Sequence, residues 1–341
     1  MSDHPFSQFL RILGKGPRSR RCLEVAEAQQ AMQMLLQGQV SDKQLGAFLL
    51  LMRANGESQT ELLGFMQAVQ AQLAEVADFS GYSVDVNWVS YSGKWRYPPY
   101  FLLALKLLAE NGYRVLLHGD SGQFAQRAYA EQWLESLGIA SLNTESVGLD
   151  WQSGQVNYLA IGSVLPMVRD LLHLKEELGV RTVFNTLVKL LNPMRAPAAV
   201  QGIYHKGVEQ LHHAAAQVNH SRCNLVFKGE GGEAEIRPDA LIKLFFSLPN
   251  QAEPMELKIP AVIERQVRPE SWQHEDLVQL WQGQKNDLYG TQSVICTAAV
   301  GLMCIALADS ENPVTLLEQA NFFEHAYQTA SQFWQQRSGQ C

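Results

Sequence analysis

The chain has 341 residues, 46% of them apolar and 18% charged, with a formal net charge of −7. That length exceeds what one hydrophobic core usually serves, about 250 to 300 residues, and predicts a large domain with a smaller one beside it. The composition is that of a soluble globular protein, and the acidic total gives no footprint for a polyanion partner, so any such partner must be met by a local cluster.

The N-terminal stretch Met1–Leu10 lacks a charged region followed by a long apolar core, so no signal peptide is expected. Within the first 21 residues Arg11, Lys15, Arg18, Arg20 and Arg21 face a single acid, Asp3. Four of these cations sit in the Gly/Pro-interrupted segment GKGPRSRR, which has the charge to grip phosphates, although a solvated loop has the same pattern. Ser41 with Gln44 then reads as a capping box, Val40 and Leu45 as a hydrophobic staple, and Leu45, Phe48, Leu49 and Met52 share one helical face. Gly56 stops that helix, and Ser58 with Glu61 opens the next in the same way. Residues 1–75 are thus expected to form a small all-helical domain.

From residue 76 the pattern changes to short β-rich runs alternating with helices: strand Val84–Tyr91, helix Tyr100–Glu110, strand Arg114–His118, helix Gln123–Leu137 and strand Val156–Ile161. The expectation is an α/β fold whose large domain, 76–341, holds a mostly parallel sheet flanked by helices. Further helices are expected at Arg169–Gly179, Gln201–Val218, Asp287–Asp309 and Val314–Gln336, with a strand at Cys223–Lys228. The longest nearly apolar run, Val294–Leu307, has 14 residues and reads as a buried core helix, because a membrane helix needs roughly 20. Five scattered cysteines, Cys22, Cys223, Cys296, Cys304 and Cys341, have no CxxC spacing and fit reduced thiols in a cytoplasm.

Two blocks, GQVSDKQLGAFLLLMRANGE at Gly38–Glu57 and KEELGVRTVFNTLVKLLNP at Lys175–Pro193, together with the His118–Asp120 turn, resemble the anthranilate phosphoribosyltransferase family. The resemblance runs from about residue 10 to 330 and implies that family's fold, with residues of about 168–190 packing back on the N-terminal helices. It also directs attention to what the family uses for phosphoribosyl transfer. The family's Gly-Thr-Gly-Gly-Asp pyrophosphate loop falls on Val89, Ser90, Tyr91, Ser92 and Gly93, where a single glycine remains. Val and Tyr cannot approach a phosphate as bare main chain does, nor adopt positive φ readily. The family's Asn-x-Ser-Thr contacts fall on Pro99, Tyr100, Phe101 and Leu102. Its Asp-Glu magnesium pair falls in Gly231-Gly232-Glu233-Ala234-Glu235, leaving Glu230, Glu233 and Glu235 as weak metal candidates, although an acidic surface turn accounts for them without a metal. A family histidine is Leu165 here and an arginine is Lys175, which keeps charge but loses the planar fork. Ser90, Tyr91, Gly93, His118, Gly119 and Lys175 therefore outline a vestigial substrate cleft, with no catalytic residue assigned and no cofactor expected.

In place of the phosphate loop stands YSGKWRYPPY, Tyr91–Tyr100, where Lys94 and Arg96 alternate with Trp95, Tyr97 and Tyr100. Cations meet phosphate oxygens and flat rings stack on bases, so the segment is a candidate nucleic-acid contact, or else an aromatic-rich loop folded over the old cleft. The blocks Ser90–Lys94 and Gly202–His205 resemble a second anthranilate-phosphoribosyltransferase-like family that binds nucleic acid. That resemblance implies a non-catalytic homodimer that holds DNA or RNA with little sequence preference; here the expected pairing is through the helical domain, the cations available are Lys15, Arg18, Arg20, Arg21, Lys94, Arg96 and Lys206, with Arg195 extending the track, and no membrane partner is expected. The alternative is a phosphoribosyltransferase using phosphoribosyl pyrophosphate and Mg with an amine or base acceptor, through His118, Lys94 and the carboxylates of the 230s. His205, His212 and His213 share a helical face but lack a fourth ligand, and are expected at the solvent edge of a helix.

Overall fold

A computed structural model describes residues 4–16, 18–79, 81–142, 151–204, 207–219 and 221–340. The chain divides into two compact units, Met1–Phe79 with Ile161–Pro193, and Ser80–Ala160 with Met194–Cys341.

The first unit is helical. Its opening helices are α1 (Ser7–Leu13), α2 (Val25–Leu36), α3 (Asp42–Asn55) and α4 (Gln59–Val76). Both capping boxes form where the spacing predicts them: Ser41 and Gln44 start α3, and Ser58 and Glu61 start α4. Glu61 also accepts the Leu23 N–H at 2.9 Å, which ties the entry to α2 onto α4. Phe6, Phe48 and Phe65 meet edge to face in the core, an arrangement that the ring quadrupoles favour. The short helices Ile161–Val164, Pro166–His173, Lys175–Leu178 and Phe184–Leu187 belong to the same unit.

The second unit holds one eight-stranded sheet: β1 (Val86–Ser90), β2 (Val115–Gly119), β3 (Ala140–Ser141), β4 (Asn157–Ala160), β5 (Ala198–Ile203), β6 (Cys223–Lys228), β7 (Ile242–Ser247) and β8 (Met255–Ile259). Their order is β3-β4-β2-β1-β5-β6-β7-β8. The strands from β3 to β6 pair in parallel, while β7 and β8 add an antiparallel edge. β1 lies at the centre, in register with β2 so that Ser90 stands opposite Gly119. α5 (Tyr100–Glu110) follows β1 and packs against the helix Leu288–Asp309, which also covers β1, β5 and β6. That 22-residue helix is long and apolar enough to cross a bilayer, but 83% of its most apolar window is buried inside the protein, as expected of a core helix.

Four predicted helices turn out otherwise, one of them Arg169–Gly179, which is divided at Leu174 between Pro166–His173 and Lys175–Leu178. Across 123–137 only the 3₁₀ turn Ala130–Trp133 is helical, because Ala128 pairs its backbone with Lys94 in an isolated antiparallel bridge. The N-terminal part of the expected helix at Gln201 is β5, whose six residues are all buried. A central parallel strand covered on both faces shows no alternation to read, and AAVQGI carries few of the β-branched side chains that would have marked it. The C-terminal helix is two, Pro313–Leu317 and Phe322–Gln336. β7 and β8 were missed although burial alternates along β8 and along β7 as far as Phe246, after which Ser247 is buried as well.

Candidate functional site

Ligands of open parallel sheets gather beyond the C-terminal ends of the strands, where β1 delivers Ser90 and the turn Tyr91–Gly93. Gly93 has φ +65°, and a Cβ on it would stand 2.9 Å from the Cβ of Arg127 and 3.0 Å from the Tyr129 ring. Both the angle and the space therefore require glycine here. A second turn, 229–235, folds against this one. It closes tightly because Gly229 has no side chain; a Cβ there would lie 1.6 Å from the Glu233 carbonyl oxygen.

The two turns are joined by carboxylates. Glu233, 1% exposed, accepts the main-chain N–H groups of Ser92 at 2.7 Å and Gly93 at 2.5 Å through one oxygen, Oε1. Ser92 Oγ donates back to the Gly232 carbonyl at 3.0 Å. Glu235, wholly buried, accepts the Phe101 N–H at 2.9 Å in the first turn of α5 and the Lys94 ammonium at 2.5 Å. Lys94 is itself fully buried and meets Glu230 at 2.7 Å. Loop N–H groups and a helix N-terminus are where an anion is best held. Here those donors are taken by the protein's own carboxylates.

Burial is the dominant force on this network. It pushes the Glu235 carboxyl up to about 7, with Lys94 opposing and the Glu230 charge adding to the rise. Burial acts in the opposite sense on the Lys94 ammonium, but Glu235 and Glu230 outweigh it and hold the lysine above its ordinary value. Beside the network Tyr91 Oη lies 2.8 Å from His118 Nδ1, and Asn87 Nδ2 lies 3.3 Å from His118 Nε2. His118 has no exposed surface, and burial, aided by the Asp120 charge, raises the Tyr91 hydroxyl well above its ordinary value.

Several expectations are corrected. Lys94 points inward to two carboxylates and cannot meet a nucleic-acid phosphate from the surface. Tyr97 stacks on Tyr289 at 4.2 Å between centroids and Tyr100 donates to Asp287 at 2.5 Å, so both rings are internal and only Trp95 of the three is exposed. Both Glu233 and Glu235 are buried and already bonded to donors rather than forming a surface turn, a poor fit to a hard, hydrated magnesium ion. Among the described residues no group of three or more His, Cys, Asp or Glu side chains is placed to hold a metal. His212 and His213 are buried rather than at a solvent edge, and His212 Nδ1 lies 2.6 Å from Gln201 Oε1.

The remaining candidates are scattered. Lys15, Arg18, Arg20 and Arg21 are exposed in the helical unit, with Arg20 donating to Asn55 at 2.6 Å and Arg21 forking onto Glu27 at 2.6 and 2.7 Å. Lys175 starts a four-residue helix of that unit and is half-buried, while Leu165 is buried. Ser90 and Gly119 are buried at the ends of β1 and β2. Arg195 is exposed at φ +51°. Lys206, His205 and His220 lie outside the described residues. Arg96 is half-buried with its guanidinium carbon 4.4 Å from the Trp95 ring centroid. Sequence reasoning did not single out Arg127 and Arg268, which reach the same neighbourhood; no local pattern marks either.

A helical bundle profile of the glycosyl transferase family matches residues 7–72, and the a/b domain profile matches residues 106–313. The chain belongs to glycosyl transferase family 3. Among family relatives, an anthranilate phosphoribosyltransferase of Methylocella silvestris is 29% identical over 211 residues, covering 61% of this chain and 60% of its own length. One of Chloroflexus aurantiacus is 30% identical over 220 residues, 64% of each. The uncharacterized protein YbiB of Escherichia coli is 26% identical over 197 residues, 58% of this chain and 61% of YbiB. The chain thus spans less than two thirds of these relatives' length. Among solved structures, anthranilate phosphoribosyltransferase of Thermus thermophilus superposes with TM-score 0.66 at 21% identity over 98% of this chain and 100% of its own. The Saccharomyces cerevisiae enzyme in complex with PRPP and Mg gives 0.70 at 14% identity over 98% and 97%. The family fold, a small helical domain and a large α/β domain with a mostly parallel sheet, is shared.

Proposed function

We propose that this chain is a non-catalytic member of its family that binds DNA or RNA with little sequence preference through exposed cations. The observation that carries the first half is the occupation of the Ser92, Gly93 and Phe101 N–H groups by Glu233 and Glu235. A sugar diphosphate would have to displace two buried carboxylates and approach a turn bearing Tyr91. Support for the second half comes from the exposed Lys15, Arg18, Arg20 and Arg21 and from Arg96 beside an exposed indole. The reading includes a homodimer formed through the helical unit, where Leu50 of α3 is 47% exposed, and a cytoplasmic setting suited to the free thiols of Cys22, Cys223, Cys296 and Cys304.

The test is filter binding of single- and double-stranded oligonucleotides across a salt series. Neutralising several phosphates predicts an affinity that falls steeply with salt, and that weakens when Lys15, Arg18, Arg20 and Arg21 are replaced by alanine. Absence of binding at low salt overturns the reading. A second reading, phosphoribosyl transfer, is favoured by the names of the relatives. It predicts magnesium-dependent consumption of phosphoribosyl pyrophosphate with anthranilate or another amine, and detectable turnover would overturn the non-catalytic reading.

A further inference from the structure

Backbone pairing sorts the cations of YSGKWRYPPY. Lys94 N donates to the Ala128 carbonyl and Ala128 N to the Lys94 carbonyl, both at 2.7 Å, so the strand is extended there and successive side chains leave on opposite sides. Lys94 goes in and Trp95 goes out, 38% exposed. Two guanidiniums gather on this indole: that of Arg96 at 4.4 Å from the ring centroid, and that of Arg268, from the loop after β8, at 5.3 Å. A guanidinium resting on an aromatic face is weakly hydrated and keeps its N–H edge available for the paired oxygens of a phosphate. Among the described residues neither Arg96 nor Arg268 has a carboxylate within ion-pairing distance, unlike Arg21, Arg114, Arg237 and Arg265.

The indole stands at the edge of a groove of about 410 Å³. Arg127 lines it too, anchored by a bond from Nη1 to the Ser92 carbonyl at 2.5 Å. Three arginines against one acid, Glu270, leave this groove with a formal charge of +2. Lys94 also borders it, but its ammonium is spent on the buried carboxylates.

We propose that Arg96 and Arg268, presented by Trp95, form a phosphate-binding pair on the α/β unit, with Arg127 on the same groove and the phosphodiester backbone of a nucleic acid as the expected source of the phosphate. The inference rests on the nucleic-acid reading above and adds to it a place and a role for each residue. Arg96 and Arg268 touch the phosphate, and Trp95 is a positioning residue that holds their planes.

The experiment compares wild type, Arg96→Ala/Arg268→Ala, Trp95→Ala and Trp95→Phe, with denaturant midpoints measured to confirm folding. Probes are a labelled oligo-dT, a duplex of the same length, and inorganic pyrophosphate. The double variant is expected to lose about tenfold or more in oligonucleotide affinity and to lower the slope of log K against log salt by about 1.4 on the single strand and about 1.8 on the duplex, two phosphate contacts at 0.7 and 0.9 each. Trp95→Ala should follow it in affinity and Trp95→Phe should restore most of the loss; a merely structural role leaves the salt slope unmoved. Unchanged oligonucleotide binding by the double variant overturns the site and leaves the nucleic-acid reading standing. If wild type binds pyrophosphate but no oligonucleotide, and the double variant loses it, that reading fails while the phosphate pair stands. If wild type binds neither probe, both fall.

Discussion

Lys94 and Arg96 are two residues apart in one loop and carry the same charge, yet they live in opposite environments. Lys94 has no exposed surface and two carboxylates at 2.5 and 2.7 Å, whereas Arg96 stacks on a half-exposed indole and among the described residues has no carboxylate within ion-pairing distance. The inner cation ties the turn after β1 to the turn 229–235; the outer one is the cation that the proposed function assigns to a phosphate. Charge in a segment therefore says little about binding until its facing is known, because a buried cation matched within the protein cannot reach a nucleic-acid phosphate and an exposed one can.

Substitutions can break this division, beginning with the inner cation. Lys94→Met should destabilise the protein by about 3 to 5 kcal/mol, since Glu230 and Glu235 would remain buried without compensation. A denaturant midpoint close to wild type would place the lysine's role elsewhere. Next comes pH. The Glu235 carboxyl stands at about 7 in the folded chain against 4.5 as its ordinary value. A carboxyl raised on folding stabilises below its unfolded value, and that contribution is lost as pH rises through 7. Measured by unfolding at pH 5 and pH 8, the stability of wild type relative to Glu235→Gln should be more favourable at pH 5, on the order of 1 to 3 kcal/mol. An equal difference at both values would mean that Glu235 is ionised throughout.

Gly93→Ala sharpens the comparison at the hinge between inside and outside. Its positive φ and the 2.9 Å approach to Arg127 predict a cost of about 1 to 3 kcal/mol, read as a lowered melting temperature. The smallest effect is expected from Arg21→Ala. Its fork onto Glu27 holds that carboxyl down at about 2, but the pair is solvent-exposed, with the arginine side chain at 49%, and water and salt screen it. Its melting temperature should stay near that of wild type, and a clear drop would show that the first basic cluster is structural.

The helical start and the change to alternating strands and helices were legible because both rest on local rules. Ser41/Gln44 and Ser58/Glu61 cap within one turn of the helix they begin, and the apolar spacing of Phe48, Leu49 and Met52 lies on the same helix. The bulk of Val89 and Tyr91 was legible too, since it is a property of the residues themselves. Less could be read where long-range pairing decides. Residues 123–137 have helical spacing but surrender it to a bridge with Lys94, and β5 hides its strand character between two covered faces. Of the candidate site, Glu233 and Glu235 were noticed as possible metal ligands and read as a surface turn, while Arg127 and Arg268 were not noticed at all.

By itself the sequence determined the family, the helical unit and the α/β alternation, because each depends on residue type and short spacing. Tertiary structure alone decided which charges are spent and which are free. Lys94 is neutralised by a carboxylate 141 residues further along the chain, and Trp95 receives Arg268 from a loop beyond the last strand. Whether an extended segment turns one face or the other inward is chosen by the partners waiting there, and these are brought by the sheet rather than by neighbours in sequence.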